Sequence, residues 1–361
     1  MQQSKRILFL DVLRALAVVL MLQGHTISAL GDFSDIDKAS LFYQVWSFLR
    51  GITAPLFIFT AGTVFVYLLK IDRPYFACFR VRKGLVRFIT LLTIGYLLNY
   101  PSLRVFDFAD ATTIKWLKFF SVDALHLIAF GILSLILIRF VSYKTGVNEL
   151  FLYLFSALIL LISTPFILNI PWGKITNPLI APYFSYGTGS FFPLFPYLFY
   201  IFAGAALGFT LRKNDSLYTK PSFGYSISAV GILLYLASIF VDNMFYNEFA
   251  AFDYLRTDVL LAIQRLGLVL ILAGIVSILS ARSVIMPRFV SSLGRNSLLI
   301  YVLHLVLIYG CVLVPGLTII WKNSLSITVS VLIAISITII FTILSILYDR
   351  KKIKFAYSVS R

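Results

Sequence analysis

The chain has 361 residues, of which 60% are hydrophobic and 13% are charged, and its formal net charge is +16. This composition gives more apolar surface than a soluble domain could bury, so it excludes a soluble globular protein. Apolar runs of about 20 residues recur along the chain, each long enough to cross about 30 Å of hydrocarbon, whereas a membrane β-barrel would alternate over about 10 residues. We therefore predict an all-α, polytopic membrane helix bundle.

Ten transmembrane helices are predicted, within a single membrane domain over residues 1–361. Most of the 31 Lys and Arg residues then fall on one side, from Lys5 and Arg6 at the start to the tail that ends at Arg361. By the positive-inside rule that side is the cytoplasm, so both termini are predicted to be cytoplasmic. This distribution accounts for the positive charge, and no nucleic-acid partner is predicted. In chain order, the predicted spans are 7–30, 42–69, 84–100, 122–140, 149–169, 191–211, 223–241, 258–280, 292–314 and 325–348.

The first predicted helix carries three polar residues on one stripe. Asp11, Arg14 and His25 lie within about 60° of one another around the axis, since each residue turns the helix by about 100°. An ionisable group in hydrocarbon costs at least about 2.5–3.5 kcal/mol, so the stripe is predicted to face the bundle interior or a wet cavity. A proton-transfer role is favoured for His25, because imidazole titrates near neutral pH. Asp11 and Arg14 could instead form a structural pair that neutralises both charges.

The second predicted helix adds a cation to the same half of the membrane. Arg50 is expected about 13 Å below the outer end of this helix, by the rise of 1.5 Å per residue. Gly51 and Pro55 follow it and are expected to loosen the helix. In the alternative interpretation, Arg50 is a buried interhelical tie, a side chain that links neighbouring helices without a chemical role. The same interpretation applies to Arg265.

The two remaining histidines are predicted at different depths. His126 lies near the outer start of the fourth predicted helix, at the level of the first histidine, and Asp123 is one turn away. A purely structural role for this pair at the helix start is equally well supported. His304 is predicted near mid-membrane, with Ser297 and Tyr301 on its own stripe, and a structural role is favoured for it. Because the histidines differ in depth and lack i, i+4 spacing, no metal site is predicted.

Five ordered blocks of the sequence resemble segments of bacterial membrane proteins that carry the heparan-alpha-glucosaminide N-acetyltransferase catalytic domain. The blocks read RILFLDVLRALAVVLMLQGH, LRGITAPLFIFTAG, VDALHLIAFGIL, FFPLFPYLFYIFAGAALG and LGRNSLLIYVLHLVLI. Arg14 and His25, with ten residues between them, are also similar to the Arg/Lys and His motif in the first helix of acyltransferase-3 membrane enzymes. One difference concerns the first outer loop, TISALGDFSDIDK, which lacks the histidine of the eukaryotic heparan enzymes and leaves His25 as the nearest candidate.

The resemblance implies a transmembrane acyltransferase of the bacterial inner membrane. Such an enzyme would move an acyl group, acetyl by default, from cytoplasmic acyl-CoA to a hydroxyl or amine of an acceptor on the far side, usually a sugar. His25 would act as general base or as a nucleophile that carries the acyl group, and the general base is favoured. The implied catalytic group is His25, Arg14, Asp123 and His126, and the implied substrate- and acyl-CoA-binding group is Asp11, Arg50, Arg80, Arg82, Lys83, Arg87, Tyr301 and His304.

The segment RVRKGLVR, residues 80–87, is the basic cluster that could hold the phosphates of coenzyme A. The positive-inside rule alone is an alternative explanation of this cluster. The expected partners are the lipid bilayer, acetyl-CoA or another acyl-CoA, and a glycan or small-molecule acceptor, while a homodimer is left open. A transporter or flippase that uses the same polar stripe without bond chemistry is the alternative function, and an inactive scaffold is a third.

Overall fold

A computed structural model describes residues 8–71, 74–102, 108–109, 111–245, 255–282 and 287–359. Lys5, Arg6 and Arg361, on which the topology prediction draws, lie outside these ranges. The described chain is almost entirely helical, which confirms the all-α prediction. The α-helices are α1 Leu8–Leu30, α2 Leu41–Leu68, α3 Phe79–Leu98, α4 Thr113–Phe120, α5 Ala124–Thr145, α6 Glu149–Asn169, α7 Trp172–Ile175, α8 Leu194–Lys213, α9 Pro221–Met244, α10 Leu261–Arg282, α11 Arg288–Arg295, α12 Ser297–Tyr309, α13 Thr318–Trp321 and α14 Ile327–Val359.

The remaining regular structure is short. One π-helical turn, Leu255–Leu260, precedes α10. An antiparallel hairpin of β1 Gly310–Cys311 and β2 Val314–Pro315 follows α12. A single parallel bridge joins Gly31 to Leu325, so the segment after α1 lies beside the segment before α14.

The number of membrane-spanning helices in the described part of the chain is lower than predicted. Eight helices there are long and apolar enough to cross a membrane, and a ninth span results if α11 and α12 are counted as one bent span. The predicted total of ten is therefore not confirmed. The eight are Leu8–Leu30, Leu41–Leu68, Thr113–Thr145, Glu149–Asn169, Leu194–Lys213, Pro221–Met244, Asp258–Arg282 and Ile327–Lys352.

The predicted span over residues 84–100 corresponds to α3, which is not among the eight helices that are long and apolar enough to cross a membrane. Helix α3 begins at Phe79, five residues before the predicted start at residue 84, so the basic residues Arg80, Arg82, Lys83 and Arg87 lie inside the helix. Every stretch of 18 residues within α3 then contains at least three basic side chains, which is too much charge for an ordinary lipid-facing span.

The chain packs as two compact units. Unit 1 contains Met1–Phe57 and Val276–Arg361, and unit 2 contains Ile58–Ile275. The prediction of one membrane domain is a statement about the whole chain and stays a prediction.

In unit 1, α1 is the central helix and packs against α11, α12 and α14. Val18 and Leu22 of α1, Leu293 of α11, Ile300 of α12 and Ile337 of α14 form a buried apolar cluster. Near the start of α1, Gly294 lies directly on the backbone carbonyl of Asp11, where a Cβ atom would overlap it. This close approach positions α11, and the helix that follows it, alongside α1.

A sharp bend separates α11 from α12. The two helices meet at 79° across Asn296, although one continuous span over 292–314 was the prediction. The Asn296 side chain donates to Ser345 Oγ at 3.0 Å and to Asp349 Oδ1 at 3.2 Å, and Asp349 forms an ion pair with Arg295. These polar contacts to α14 hold the broken backbone, which is the physical reason that a continuous apolar helix is not formed.

In unit 2, small residues allow helices to cross closely. Gly204 and Gly208 of α8 contact the backbone of Phe59 and Thr63 in α2, and a Cβ atom at either glycine would overlap a carbonyl oxygen. The spacing of four residues is that of the GxxxG motif of membrane helices. The neighbouring α9 and α10 use the same principle, since Gly231 lies directly against the backbone of Gly267.

A buried ion cluster lies at one end of unit 2. Glu149, at the start of α6, accepts hydrogen bonds from Arg212 of α8 at 2.6 and 2.7 Å and pairs with Arg139 of α5. Arg212 also donates to the carbonyls of Val66 and Leu69 at the end of α2. Sequence analysis counted these two arginines only as positive-inside charges, whereas both are bound to a carboxylate.

Candidate active site

The polar stripe of α1 faces α12 within unit 1. Arg14 donates from Nη2 to Ser297 Oγ at 2.8 Å, and the ring of His25 lies 5.1 Å from the ring of His304, measured between centroids. Because α1 is one unbroken helix, Arg14 and His25 are separated by about 16 Å along its axis. The prediction that this stripe faces other helices is confirmed.

The two imidazoles lie in an aromatic cluster. Tyr309 packs edge-on to His25 at 5.9 Å, and Tyr301 packs edge-on to His304 at 5.5 Å. Phe57, near the middle of α2, stacks on Tyr301 at 5.6 Å. The cluster therefore combines two proton-carrying rings with aromatic walls that limit access of water.

The predicted difference in depth between His304 and His25 was wrong. It assumed one straight span over 292–314, in which His304 lies away from the level of His25. The span is instead broken by a bend of 79° at Asn296, and the rings of His304 and His25 are direct neighbours. His126 was predicted to lie at the same depth as His25. In unit 1, the histidine that lies beside His25 is His304.

Hydrogen bonding defines the proton positions on His304. Its ring is fully buried, and Nδ1 lies 3.0 Å from the Ile300 carbonyl oxygen, which can only accept, so Nδ1 carries the hydrogen. In the neutral ring, Nε2 then has a free lone pair. Among the described residues, neither His304 Nε2 nor His25 Nδ1 has a hydrogen-bond partner. Buried polar atoms are normally hydrogen-bonded, so these two ring nitrogens indicate a place where a ligand could supply the hydrogen-bond partners.

Arg50 is not the buried interhelical tie considered above. Its side chain is exposed and lies over the ring of Trp46, one turn earlier on α2, at 5.3 Å. Arg50 and Gly24, the residue before His25, line the same cavity of unit 1. Arg50 therefore brings positive charge to the part of unit 1 that holds His25. The helix itself continues through Gly51 and Pro55.

A second histidine site is present in unit 2. Asp123 is the N-cap of α5 and accepts from the backbone N–H of Leu125 and of His126, and His126 Nδ1 lies 2.8 Å from Asp123 Oδ1. This capping box confirms the helix-start interpretation, while a catalytic role stays a prediction. Gly95 gives the ring its space, because a Cβ atom there would lie 2.6 Å from His126 Cε1.

Two tyrosines flank that second site. The hydroxyls of Tyr96 and Tyr183 are 2.8 Å apart, and the Tyr96 ring packs edge-on to His126 at 4.4 Å. Burial, together with the hydrogen bond to Tyr96, raises the pKa of Tyr183 above its ordinary value, so this hydroxyl stays protonated at neutral pH. Within the described residues, His126 Nε2 has no hydrogen-bond partner.

The predicted coenzyme-binding cluster lies in the first half of α3, in unit 2. Arg82, Lys83 and Arg87 are exposed, and Arg80 is half-buried. Arg82 donates from Nε to the Phe76 carbonyl at 3.1 Å. The exposed basic groups are accessible to an anionic ligand. Of the remaining predicted residues, Asp11 lies in unit 1 against Gly294.

Sequence analysis missed Tyr309, Phe57 and Trp46 as members of the site in unit 1. Tyr309 is five residues after His304 and off its stripe, so helical periodicity does not select it. Phe57 and Trp46 belong to an apolar run that gives no polar signal. The described residues contain no group of three or more His, Cys, Asp or Glu side chains that could hold a metal ion.

Apolar helices of membrane-spanning length, with two imidazoles packed against each other between them, define an integral membrane protein with a site suited to proton transfer. Residues 6–233 match the family model described as heparan-alpha-glucosaminide N-acetyltransferase, catalytic, and the chain belongs to this family. Membership implies a transmembrane acetyltransferase type of activity. No curated protein and no solved structure matches the chain significantly. The family match ends before α12, so it does not itself cover Tyr301, His304 or Tyr309.

Proposed function

We propose that the chain transfers an acyl group, acetyl by family, from acyl-CoA to a hydroxyl or amine of a carbohydrate acceptor. The observation that carries this proposal is the adjacent pair of His25 and His304 rings, each with a buried nitrogen that has no described partner, in a chain of this family. The alternative of a transporter or flippase has no comparable support.

In the proposed reaction, His25 acts as the general base. The acceptor oxygen or nitrogen attacks the thioester carbonyl carbon and forms the new C–O or C–N bond, while imidazole takes its proton. The C–S bond then breaks, and the proton passes to the leaving thiolate, which departs as free coenzyme A. Arg50 is assigned to stabilise the negative charge that develops on the carbonyl oxygen.

Arg14 and His304 are assigned positioning roles. The Arg14 bond to Ser297 fixes the register of α1 against α12, and this register brings His25 beside His304. The His304 ring, oriented by the Ile300 carbonyl, presents Nε2 as an acceptor for a proton or a substrate N–H.

The donor site is a separate part of the proposal. The exposed basic residues of α3 are assigned to the phosphates of coenzyme A, because guanidinium groups bind phosphate with paired hydrogen bonds. The side that carries them is assigned to the cytoplasm, with both termini, in a bacterial inner membrane. Asp123 and His126 are kept as a second candidate proton-transfer pair.

The direct test is release of free thiol from acetyl-CoA by the purified full chain, with a panel of sugar acceptors. His25→Ala is expected to lower the rate about 10²- to 10⁴-fold, the usual contribution of a general base. Thr26→Val is the matched control, because it removes a buried hydroxyl without a described partner from the next position of the same helix and should keep the wild-type rate. Absence of His25-dependent thiol release with every acceptor would favour transport.

A second experiment separates direct transfer from an acyl-histidine intermediate. The enzyme is incubated with labelled acetyl-CoA without acceptor and quenched in acid. General-base catalysis predicts no label on the protein. Label retained on the wild type and absent from His25→Ala would instead establish nucleophilic catalysis.

A further inference from the structure

A groove lies in unit 1 on the side of α1 next to the imidazole pair. It has a volume of 570 Å³ and is formed by the second half of α1, the first ten residues of α2 and one residue of α14. Both α1 and α2 contribute their ends nearest the connecting loop, so the groove lies in one half of the membrane thickness. Its lining includes Leu20, Gly24, Val45, Trp46, Arg50 and Val331.

The lining is apolar apart from three residues, Gln23, Trp46 and Arg50, and the side chains of the last two only donate hydrogen bonds. Among the described lining residues, Arg50 is the one that carries a charge. Trp46 is 9% exposed, and its Nε1–H has no hydrogen-bond partner in the described part of the chain. A guanidinium and an indole N–H both require oxygen acceptors, and anionic oxygens satisfy them best. The groove is thus complementary to a hydrocarbon chain that ends in an anionic, oxygen-rich group.

The polar end of this groove adjoins the candidate active site. Gly24 and Arg50 both line the groove, and Gly24 directly precedes His25 on α1. A head group bound at Arg50 would therefore hold whatever is attached to it beside the imidazoles.

We infer that the acceptor is a sugar carried on a lipid phosphate, with the apolar chain in the groove and the phosphate at Arg50 and Trp46. This inference rests on the proposed function and names its acceptor class. A sugar hydroxyl of this lipid attacks the thioester carbon, the C–O bond forms as the C–S bond breaks, and His25 passes the hydroxyl proton to the leaving thiolate, which departs as free coenzyme A. The phosphate stays intact throughout.

Gly24 provides a way to close the groove without disturbing the helix packing. A Cβ atom built at Gly24 has no heavy atom within 4 Å, so a larger side chain has open space in front of it. Leucine is also a better helix former than glycine. Gly24→Leu is therefore expected to fold and to occupy the space that the lipid chain needs.

Binding is tested with the full chain in phosphatidylcholine nanodiscs and three probes: farnesyl phosphate, farnesol and inorganic phosphate. Native mass spectrometry should show farnesyl phosphate bound about 10- to 100-fold more tightly than farnesol, as a charge-assisted pair predicts, and inorganic phosphate not bound. Arg50→Gln should remove the difference between the two farnesyl probes. Gly24→Leu should weaken both, and Thr26→Val should bind like the wild type. Equal binding of farnesol and farnesyl phosphate to the wild type, or unchanged binding to Gly24→Leu, would overturn the inference.

An activity arm separates the failure of this inference from the failure of the proposed function. Thiol release is measured with N-acetylglucosamine linked to farnesyl phosphate and with free N-acetylglucosamine. The lipid-linked acceptor should be used preferentially, and Gly24→Leu should remove this preference. His25-dependent release that is equal for both acceptors would refute the lipid phosphate while keeping the enzyme. Normal lipid binding without any His25-dependent release would refute the enzyme instead.

Discussion

Replacing His304 by leucine separates the packing of this side chain from the chemistry of its ring nitrogens. Leucine is close to histidine in volume, suits a helix and fills the same fully buried position. The substitution removes the Nδ1–H bond to Ile300 and the Nε2 atom that has no described partner. The backbone carbonyl of Ile300 keeps its ordinary helical donor.

The substitution is expected to change activity much more than stability. Loss of a neutral hydrogen bond costs about 0.5–1.5 kcal/mol, and loss of the ring contact with His25 costs about 0.5–1.5 kcal/mol. Removal of a buried polar atom that has no hydrogen-bond partner should raise the free energy of unfolding by about 1–3 kcal/mol. The summed losses and this gain cancel at their midpoints, so the free energy of unfolding should stay near the wild-type value and within about 2 kcal/mol of it. Turnover should fall about 10²-fold, because His25 loses its positioned neighbour.

Both quantities can be measured on the same detergent-solubilised sample. Thermal unfolding followed by intrinsic fluorescence reports stability, and thiol release from acetyl-CoA reports kcat and KM. We expect an unchanged midpoint, an unchanged KM for acetyl-CoA and a lower kcat. A wild-type kcat would show that the His304 nitrogens take no part in the site. A large fall in the unfolding midpoint would show that the side chain acts through packing.

Three further predictions concern the packing of unit 2 and are measured by thermal unfolding. Glu149→Gln should lower stability by about 1–3 kcal/mol, because two half-buried arginines lose the buried carboxylate that they share, and an unchanged midpoint would show that this cluster is solvated. Gly95→Ala should cost about 1–3 kcal/mol, since the His126 ring must move, and a neutral effect would mean that the ring is loosely held. Gly208→Leu should lower stability more than Gly95→Ala, because it forces a helix backbone apart, and the reverse order would argue against the close crossing.

Much of the helical architecture follows from local properties of the sequence. Long apolar runs form helices in lipid because every backbone group must be paired, and this requirement locates α1, α2, α6 and α8 within a few residues. The stripe of Asp11, Arg14 and His25 is also local, since a fixed turn per residue determines it. Because a charged group in lipid is costly, the stripe is predicted to face other helices. The contacts of Arg14 and His25 with α12 confirm this prediction.

The features that the sequence did not predict depend on contacts between distant segments. The bend at Asn296 needs side chains of α14, about 50 residues later, and without it His304 is placed at the wrong depth. Exposure of Arg50 depends on how the start of α2 is packed, which hydropathy does not reveal. The groove beside Gly24 is a space between three helices, so no periodicity within one helix indicates it.

An experimental structure of the full chain with a non-reactive thioether analogue of acetyl-CoA tests the central claim most directly. The account predicts that the acetyl end of the analogue lies against the His25 and His304 rings, with its carbonyl oxygen on the side of Arg50. An analogue bound elsewhere, with the His25 ring turned into the surrounding lipid, would contradict it.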